Sequence, residues 1–429
     1  MNKQKVELLS PAGNLEKLKI AINYGADAVY GGVSHFSLRI RASKEFTFET
    51  FKEGIKYAHE RGKKVYATIN GFPFNSQIEL LKKHIKSMAE LKPDGFIVAA
   101  PGVVRLCREI APEIDIHLST QANVLNYLDA QVFWDMGVRR IVVAREISLK
   151  DVVEIKKHLP DMEIEIFVHG SMCFAYSGRC LISAVQMGRV PNRGSCANDC
   201  RFEYTLYAGN DEHGSLFRLE EEEGVGTYIF NSKDMNLASH IKEILDSGAV
   251  DSLKIEGRTK SPYYAAVTAK AYRSAIDDYY LEKFDAQKYQ KELYTTKNRG
   301  FTDAYLIHKP FEKTDSQNHK YALSKGSYEV TGLVTEDENH FLCKYKVYPK
   351  EDIEIFTPHN TVLQECDNEI GKVFKKDDGL YYINFKKILT ESGKELDSVH
   401  SGNINKIQLP CSLPYLTMFR VENIEDNID

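Results

Sequence analysis

The sequence predicts an α/β protein, a TIM-like (β/α)8 barrel with a cysteine-rich insertion after strand 7 and a small C-terminal antiparallel β domain. Three observations support this fold class. From Val6 to about residue 300, short apolar runs alternate with amphipathic stretches of helical period, which is the pattern of parallel βα units. This alternation is interrupted by a segment with four cysteines, and from about Ser316 short alternating strands replace it.

Eight candidate strands occur in the first part of the chain, and helical segments lie between them. The strands are VELLS, ADAVYG, KVYATIN, DGFIVAA, DIHLST, RIVVA, EIEIFVHG and DSLKIEG. The helices include FETFKEGIKYAHERG, SQIELLKKHIKSMAEL, NYLDAQVFWDMG and SLKDVVEIKKHL, and the second and fourth open with serine at an N-cap position. Eight such units over roughly 250 residues favour a closed barrel over an open doubly wound sheet.

We expect residues 1–300 to form the barrel, with a cysteine-rich insertion over 170–226, and residues 316–420 to form the β domain. A ninth candidate strand, TYIFNSKD, is assigned to the insertion together with EYTLYAGN, although a place in the barrel is the alternative. In the β domain the strands GSYEVTGLVT, HFLCKYKVY and GLYYINFKKI alternate between apolar and polar residues.

A barrel gathers on one face the residues that follow its strands, and catalytic groups are found on this face. Here these residues are Ser10, Asn70, Gln121, Arg145, Glu146, His169, Glu256 and Arg258. The cysteine segment follows the seventh strand, so we expect it to lie over the same mouth of the barrel.

Four cysteines, half of the eight in the chain, lie in this one segment with the spacing C-x6-C-x15-C-x3-C. They are Cys173, Cys180, Cys196 and Cys200. Four thiolates ligate either a tetrahedral zinc ion or an iron–sulfur cluster. Structural zinc sites favour C-x2-4-C pairs, and the first pair here is wider, so the spacing favours a [4Fe–4S] cluster with zinc as the alternative. Free cysteines also pack as small hydrophobes, but the grouping argues against that interpretation.

Composition limits the class of protein and its partners. The beginning of the sequence has no apolar signal region and no apolar run approaches twenty residues, so we expect a cytoplasmic protein with no membrane partner. Cytoplasmic thiols stay reduced, which again favours metal binding over disulfides. The formal net charge of -5 gives no global attraction to nucleic acid, so an RNA partner requires a local basic patch. The oligomeric state is left open.

A thiol protease is one alternative function. Neither an HExxH motif nor a GxSxG motif after a strand is present. Cys173 and His169 could form a thiolate–imidazolium pair, but a cysteine that ligates a cluster is not free to attack a peptide bond. A zinc-containing RNA-binding protein without catalysis is a further alternative.

One long stretch resembles the signature of a known family, the collagenase-like peptidases of unassigned type, family 32. It reads EIEIFVHGSMCFAYSGRCLIS and continues as GRVPNRGSCANDCRFEY. The resemblance extends to ELLSPAGNLEKLKIAINYGADAVYGG, HLSTQANVLN, NSKDM and SLKIEGRTKSPYYAA, over roughly the first 300 residues. The region after Ser316 is similar to the C-terminal β module of one branch of the family.

That branch implies an enzyme of tRNA processing, a prephenate-dependent hydroxylase of C5 of the wobble uridine. Sister branches hydroxylate a cytidine of ribosomal RNA or act in ubiquinone synthesis. The resemblance also implies an iron–sulfur cluster bound by cysteines of the signature, here Cys173, Cys180, Cys196 and Cys200. The expected partners are therefore tRNA and prephenate, whereas the family name implies a protease.

Site residues follow from these expectations. An anionic co-substrate with two carboxylates calls for arginine clamps. Candidates for substrate binding are Arg39, Arg41, Arg145 and Arg258, together with Gln121 for the edge of a base. Lys254 and Glu256 alternate along the last strand and are candidates for proton transfer, with an internal ion pair as the alternative. His169, next to the cysteines, is a third catalytic candidate.

Overall fold

The structure is a computed structural model of the chain. It describes residues 5–33, 36–37, 46–193, 195–205, 207–210, 215–218, 231–308, 316, 318, 326–402 and 406–423. Arg39 and Arg41, two predicted substrate-binding residues, lie outside the described residues. The chain divides into two compact units. The first contains Met1–Ile22, Ala26–Gln290 and Asn298–Ser324, and the second contains Asn23–Gly25, Lys291–Lys297 and Lys325–Asp429.

Eight parallel strands form a closed barrel in the first unit. The barrel strands are β1 (Glu7–Pro11), β2 (Ala28–Gly31), β3 (Lys64–Ile69), β4 (Gly95–Val98), β5 (Asp115–Leu118), β6 (Arg140–Val142), β7 (Glu163–Ser171) and β11 (Ser252–Ile255). Three further strands lie between β7 and β11 in the chain: β8 (Tyr207–Asn210), β9 (Ser215–Arg218) and β10 (Asp234–Asn236). Strands β1 to β7 pair in sequence, and β11 pairs with both β7 and β1. The eight predicted barrel strands and the TIM-like fold are therefore confirmed.

In the described part of the chain, eight helices lie between the barrel strands, as the amphipathic pattern predicts, and three more follow the last barrel strand. They are α1 (Leu15–Asn23), α2 (Phe48–His59), α3 (Ile78–Glu90), α4 (Pro101–Ile110), α5 (Tyr127–Asp135), α6 (Leu149–His158), α7 (Ile182–Met187), α8 (Ile241–Asp246), α9 (Pro262–Tyr280), α10 (Ala286–Leu293) and α11 (Ala304–Ile307). Ser148 caps α6 by accepting a hydrogen bond from the Asp151 amide, as expected. The predicted serine cap of α3 is wrong, because its N-cap is Gln77 and Ser76 lies in the preceding 3-10 turn.

The ninth candidate strand is not a ninth barrel strand. Its described part continues into β10, which runs antiparallel to the end of β7, opposite His169, Gly170 and Ser171. Strand β12 (Phe301–Thr302) pairs in parallel with β10. Strands β8 and β9 form a separate hairpin. Strands β8, β9 and β10 thus lie between β7 and β11 in the chain and are not strands of the closed barrel, and residues 227–230 lie outside the described residues.

The second unit is an antiparallel β sheet, as predicted for the C-terminal region. Its strands are β13 (Tyr328–Val334), β14 (His340–Cys343), β15 (Asp352–Phe356), β16 (Cys366–Asp367), β17 (Gly371–Lys375), β18 (Tyr381–Phe385), β19 (Ile388–Leu389), β20 (Glu395–Leu396), β21 (Ile407–Gln408) and β22 (Met418–Glu422). Eight of them form one sheet in the order β16-β17-β18-β15-β22-β13-β14-β21. Buried Phe341, Phe385 and Phe419 pack together in its core.

The barrel interior carries charge as well as apolar side chains. Strands β2 and β4 are buried along their whole length, as strands covered on both faces are. Arg140, however, contacts carboxylates of Glu7 and Glu165 inside the barrel, and Glu165 also contacts Lys254. This set of four charged residues is called the interior ion-pair network below. In the described part of the chain, no helix is long and apolar enough to cross a membrane.

Candidate active site

A cavity of about 440 Å3 lies at the carboxyl ends of the barrel strands. Its walls come from the loops after β3, β5, β6, β7 and β11 and from the cysteine segment that follows β7. The polar and charged lining residues include Thr68, Asn70, Ser119, Gln121, Arg145, Arg201, Lys254, Glu256, Arg258, Lys260 and Arg299. This is the face on which the (β/α)8 fold presents catalytic groups, as the sequence predicts.

All four cysteines of the segment line this cavity. Cys173, Cys180 and Cys200 are partly buried, and Cys196 is exposed. Burial raises the pKa of Cys200 above its usual value, Arg201 lowers it, and the other three thiols raise it again. The sequence prediction that this segment covers the mouth of the barrel is confirmed.

The donor set matches an iron–sulfur cluster in its chemistry, because each iron corner takes one thiolate and four cysteine thiols share one cavity. Among the residues that the structure describes, no three His, Cys, Asp or Glu side chains are grouped so that they could hold a metal ion. The cysteine ligand set therefore stays a prediction.

Hydrogen bonds attach the cysteine segment to the barrel loops. The side chain of Arg179 donates to the carbonyl oxygen of Gln121 from Nε at 3.0 Å and from Nη2 at 2.9 Å. The Glu146 carboxylate accepts from the backbone N–H of Ser177 at 2.7 Å and from its hydroxyl group. Ser177 has φ 40°, a left-handed conformation that these two bonds help to stabilise. The segment is thereby tied to the loops after β5 and β6.

Arg145 connects the cavity floor to the first cysteine. Its Nη2 lies 3.1 Å from a carboxylate oxygen of Glu256, and its Nη1 donates to the Ser171 carbonyl at 3.2 Å. The same Nη1 lies 4.0 Å from the Cys173 sulfur. The guanidinium also lies over the ring of Phe167, at 4.1 Å from its centroid. Arg145 is thus fixed on several sides, which suits a group that orients its neighbours.

Positive charge dominates the cavity. Among its described lining residues, six are cationic and only Glu256 is a carboxylate. Carboxylate partners are described for Arg145, which contacts Glu256, for Lys254, which contacts Glu165 at 2.6 Å, and for Arg299, which contacts Asp234. The excess of cations over carboxylates favours an anionic ligand.

Lys254 and Glu256 both line the cavity, as their alternation along the last strand predicts. Each also forms an ion pair inside the protein, which was the alternative interpretation from the sequence. Lys254 and Glu256 therefore line the cavity and take part in ion pairs at the same time. Their role in proton transfer stays a prediction.

His169 does not line the cavity, within the described residues. It is 1% exposed and packs against the rings of Tyr264, Tyr272 and Phe301. The register of β7 against β11 explains this position, because Phe167 pairs with Lys254 but His169 pairs with Ile255. One residue of β7 is skipped, and such a bulge turns the following side chain to the other face. This position favours a structural role for His169.

We expect His169 to make the stability of the barrel depend on pH. Burial lowers the pKa of His169 to about 3, and Lys260 adds to the effect. The unfolded chain, with a His pKa of ~6.5, therefore binds a proton that the folded chain does not. His169 therefore leaves the free energy of unfolding unchanged above about pH 6.5. Below that pH, its contribution lowers the free energy of unfolding by about 1.4 kcal/mol per pH unit. Urea unfolding between about pH 6.5 and 4.5 should give a shallower fall for His169→Phe, and parallel slopes would contradict this prediction.

Sequence reasoning missed Lys260 and Arg299, which also line the cavity. Lys260 lies in the loop GRTKS just after the eighth barrel strand, so its position was a usable signal. Arg299 precedes β12, far along the chain from β7, and donates to the Ser171 hydroxyl at 2.7 Å. Only the folded chain brings Lys260 and Arg299 to the same cavity.

The fold and the matched residues define the class of protein. Residues 13–316 match Peptidase family U32, so the chain belongs to this family. It is 62% identical over 418 residues to tRNA hydroxylation protein P of Helicobacter pylori (strain ATCC 700392 / 26695), which covers 97% of this chain and 99% of that protein. It is 38% identical over 413 residues to tRNA hydroxylation protein P of Escherichia coli (strain K12), covering 86% and 90%.

A more distant relative is named for chemistry on another RNA. The chain is 32% identical over 315 residues to the 23S rRNA 5-hydroxycytidine C2501 synthase of Escherichia coli (strain K12). This similarity covers 71% of the chain and 46% of that protein. The family resemblance carried by the cysteine segment and the matching stretches before and after it is therefore confirmed.

Proposed function

We propose that this protein is a cytoplasmic tRNA-modifying hydroxylase that converts the wobble uridine of tRNA to 5-hydroxyuridine, with prephenate as co-substrate and a [4Fe–4S] cluster as cofactor. The similarity to tRNA hydroxylation protein P over nearly the full length of both chains is the observation that carries the proposal. The rRNA synthase supports the same class of reaction, because its name also describes a pyrimidine hydroxylated at C5.

The cavity has properties that the proposed reaction needs. Modification of a base inside a barrel requires a nucleotide splayed out of its stack, and anticodon loops supply unpaired bases. A cavity of about 440 Å3 with apolar Phe167 and Phe174 in its walls suits a planar ring and a small co-substrate. Its cationic side chains suit the phosphate backbone and a dicarboxylate.

Cys173, Cys180, Cys196 and Cys200 are the proposed ligands of the cluster. When bound, a [4Fe–4S] cluster supplies electron transfer next to the substrate. The protein itself then binds and orients the reactants. Arg145 forms an ion pair with Glu256 at the cavity wall, and Glu165 forms an ion pair with the Lys254 ammonium group inside the barrel. We assign proton transfer near the base to Glu256 or Lys254, since both lie on the cavity surface.

Nucleoside mass spectrometry tests the proposed function directly. Hydroxylation at C5 is a two-electron oxidation that also needs an oxygen donor, so the test uses cells, which supply both. Total tRNA is prepared from the wild-type strain, from a strain that lacks the gene and from the same strain with the gene restored. We expect 5-hydroxyuridine and its derivatives in the first and third strains and their loss in the second. If deletion of the gene leaves the amounts of tRNA 5-hydroxyuridine and its derivatives unchanged, the proposed function is contradicted.

Arg258 provides a test of the anionic co-substrate. Its Nη1 donates to the hydroxyl groups of Ser37 at 2.7 Å and Thr68 at 3.1 Å, and the residue lines the cavity. We expect Arg258→Met to raise the KM for prephenate roughly 10- to 100-fold, because a charge-assisted hydrogen bond is lost. Arg258→Lys should lie between this variant and wild type. Steady-state kinetics with the exposed Arg105→Met variant as control gives the comparison, and an unchanged KM would contradict this role.

A peptidase activity is the second candidate, because the family carries that name. A peptidase would need Cys173 and His169 as a nucleophile and its base, and these two described side chains do not contact each other. His169 lies 3.3 Å from the Tyr272 hydroxyl through Nδ1, whereas Cys173 has Arg145 as its neighbour. Cleavage of a peptide substrate that disappears in Cys173→Ala but survives loss of iron would favour the peptidase.

A further inference from the structure

Gln121 lines the cavity, but its amide oxygen is out of reach of solvent and has no hydrogen-bond partner among the described residues. Gln121 follows β5 in the 3-10 turn Thr120–Ala122, and the residue is 4% exposed. An unpaired buried amide oxygen is costly, and a ligand that supplies a donor removes that cost. The position therefore points to a ligand with an N–H or O–H group.

The backbone around Gln121 is fixed before any ligand binds. Arg179 donates two hydrogen bonds to its carbonyl oxygen, at 3.0 and 2.9 Å. The hydroxyl of Thr120 donates to the carbonyl of Val143 at 3.1 Å, and Asn123 ends the turn in the left-handed region with φ 62°. A preorganised backbone reduces the entropy that binding costs, so only the side chain has to move when a ligand binds.

The chemistry of an amide matches one edge of uracil. A glutamine side chain presents an acceptor oxygen next to a donor NH2 group. The Watson–Crick edge of uracil presents the N3–H donor next to the O4 acceptor, and single-stranded RNA is read at this edge. Pairing here leaves C5 uncovered, since C5 lies beyond C4 on the neighbouring side of the ring. The carbonyl clamp by Arg179 also ties this subsite to the cysteine segment.

We propose that Gln121 is the residue that reads the substrate base: its side chain turns toward the cavity, where Oε1 accepts a hydrogen bond from N3–H of uracil and Nε2 donates to O4. Arg179 is the positioning residue that holds the Gln121 backbone. This inference rests on the proposed function, because it takes uridine in an RNA loop as the substrate.

Binding of two synthetic anticodon stem-loop RNAs tests the role of Gln121. One carries uridine at the wobble position, and the other carries the ribonucleoside of pyrimidin-2-one, which lacks N3–H and O4 and adds no bulk. Fluorescence anisotropy with protein purified without oxygen gives each Kd. Wild type should bind the uridine RNA roughly 5- to 150-fold more tightly, the discrimination that a bidentate contact gives. Gln121→Met, which keeps an unbranched chain and removes the amide, should bind both RNAs equally.

Two further variants complete the experiment. Gln131→Met makes the same change on the exposed face of α5, where Gln131 contacts Asp135, and should keep wild-type discrimination. Gln121→Glu keeps an acceptor but loses the donor, so it should bind the uridine RNA more weakly than wild type because its carboxylate repels O4. Circular dichroism and iron content that match wild type show that each variant is folded.

Each outcome decides the inference. Discrimination that persists undiminished in Gln121→Met would overturn it, and so would a wild-type protein that binds both RNAs equally. In either case, formation of 5-hydroxyuridine by the wild-type protein would leave the proposed function intact. A wild-type protein that binds neither RNA and forms no 5-hydroxyuridine would overturn both.

Discussion

Replacement of Cys173 by alanine is expected to remove iron and acid-labile sulfide from the protein and to reduce tRNA hydroxylation to background. Wild type purified without oxygen should hold four irons and four sulfides per chain, the content of one [4Fe–4S] cluster. The reason for the large effect is that Cys173 is the first of four thiols around one cavity, with Arg145 4.0 Å from its sulfur. Iron and sulfide assays and the visible spectrum are measured beside activity.

Cys366→Ala is the matched control, because Cys366 is also a partly buried free cysteine but lies in the C-terminal sheet. It should keep the full iron content and activity. One zinc and no iron in the wild-type protein would contradict the cluster and make the segment a structural zinc site. A Cys173→Ala variant with unchanged iron and spectrum would remove Cys173 from the ligand set.

Replacement of Arg140 by methionine is expected to destabilise the barrel by about 3–5 kcal/mol, the usual cost of removing one partner from a buried ion-pair network. The Arg140 side chain is 5% exposed and lies 2.7 Å from a carboxylate oxygen of Glu163 and 3.3 Å from one of Glu165. Burial disfavours its charge, but Glu7 and Glu165 outweigh this effect and raise the pKa of Arg140 above its usual value. Without Arg140, buried Glu165 keeps only Lys254 as a cationic partner among the described residues.

Scanning calorimetry tests this prediction, with a fall of roughly 5–15 °C expected in the unfolding midpoint of Arg140→Met. Arg140→Lys keeps the charge and should lose less. Arg105→Met removes an arginine from an exposed pair with Glu109 and should cost less than about 1 kcal/mol. An Arg140→Met midpoint close to that of Arg105→Met would show that the network adds little to stability.

The barrel could be predicted because its signals are local. Each strand is a short apolar run and each helix an amphipathic stretch, so the period of the pattern identifies both. The same reasoning placed Gln121, Arg145, Lys254, Glu256 and Arg258 at the carboxyl ends of strands, where the structure has them. The closed order of the strands then brings these distant loops to one cavity.

The position of the His169 side chain could not be predicted from the sequence. Strict alternation along β7 would place it on the same face as Glu165 and Phe167, toward the barrel interior. The register shift opposite Lys254 and Ile255 reverses that alternation, and His169 packs among aromatic rings instead. A bulge depends on how two strands pair, and the sequence of one strand does not contain that information.

The sequence by itself determined the parallel barrel, the place of the cysteine segment and the antiparallel C-terminal sheet, because period and residue spacing along the chain encode them. Only the tertiary structure decided which charges meet, as for Lys254 with Glu165 and Arg145 with Glu256. It also decided that Arg179 of the cysteine segment holds the backbone of Gln121. The physical reason is that these contacts join residues far apart in sequence, and their geometry exists only after the barrel has closed.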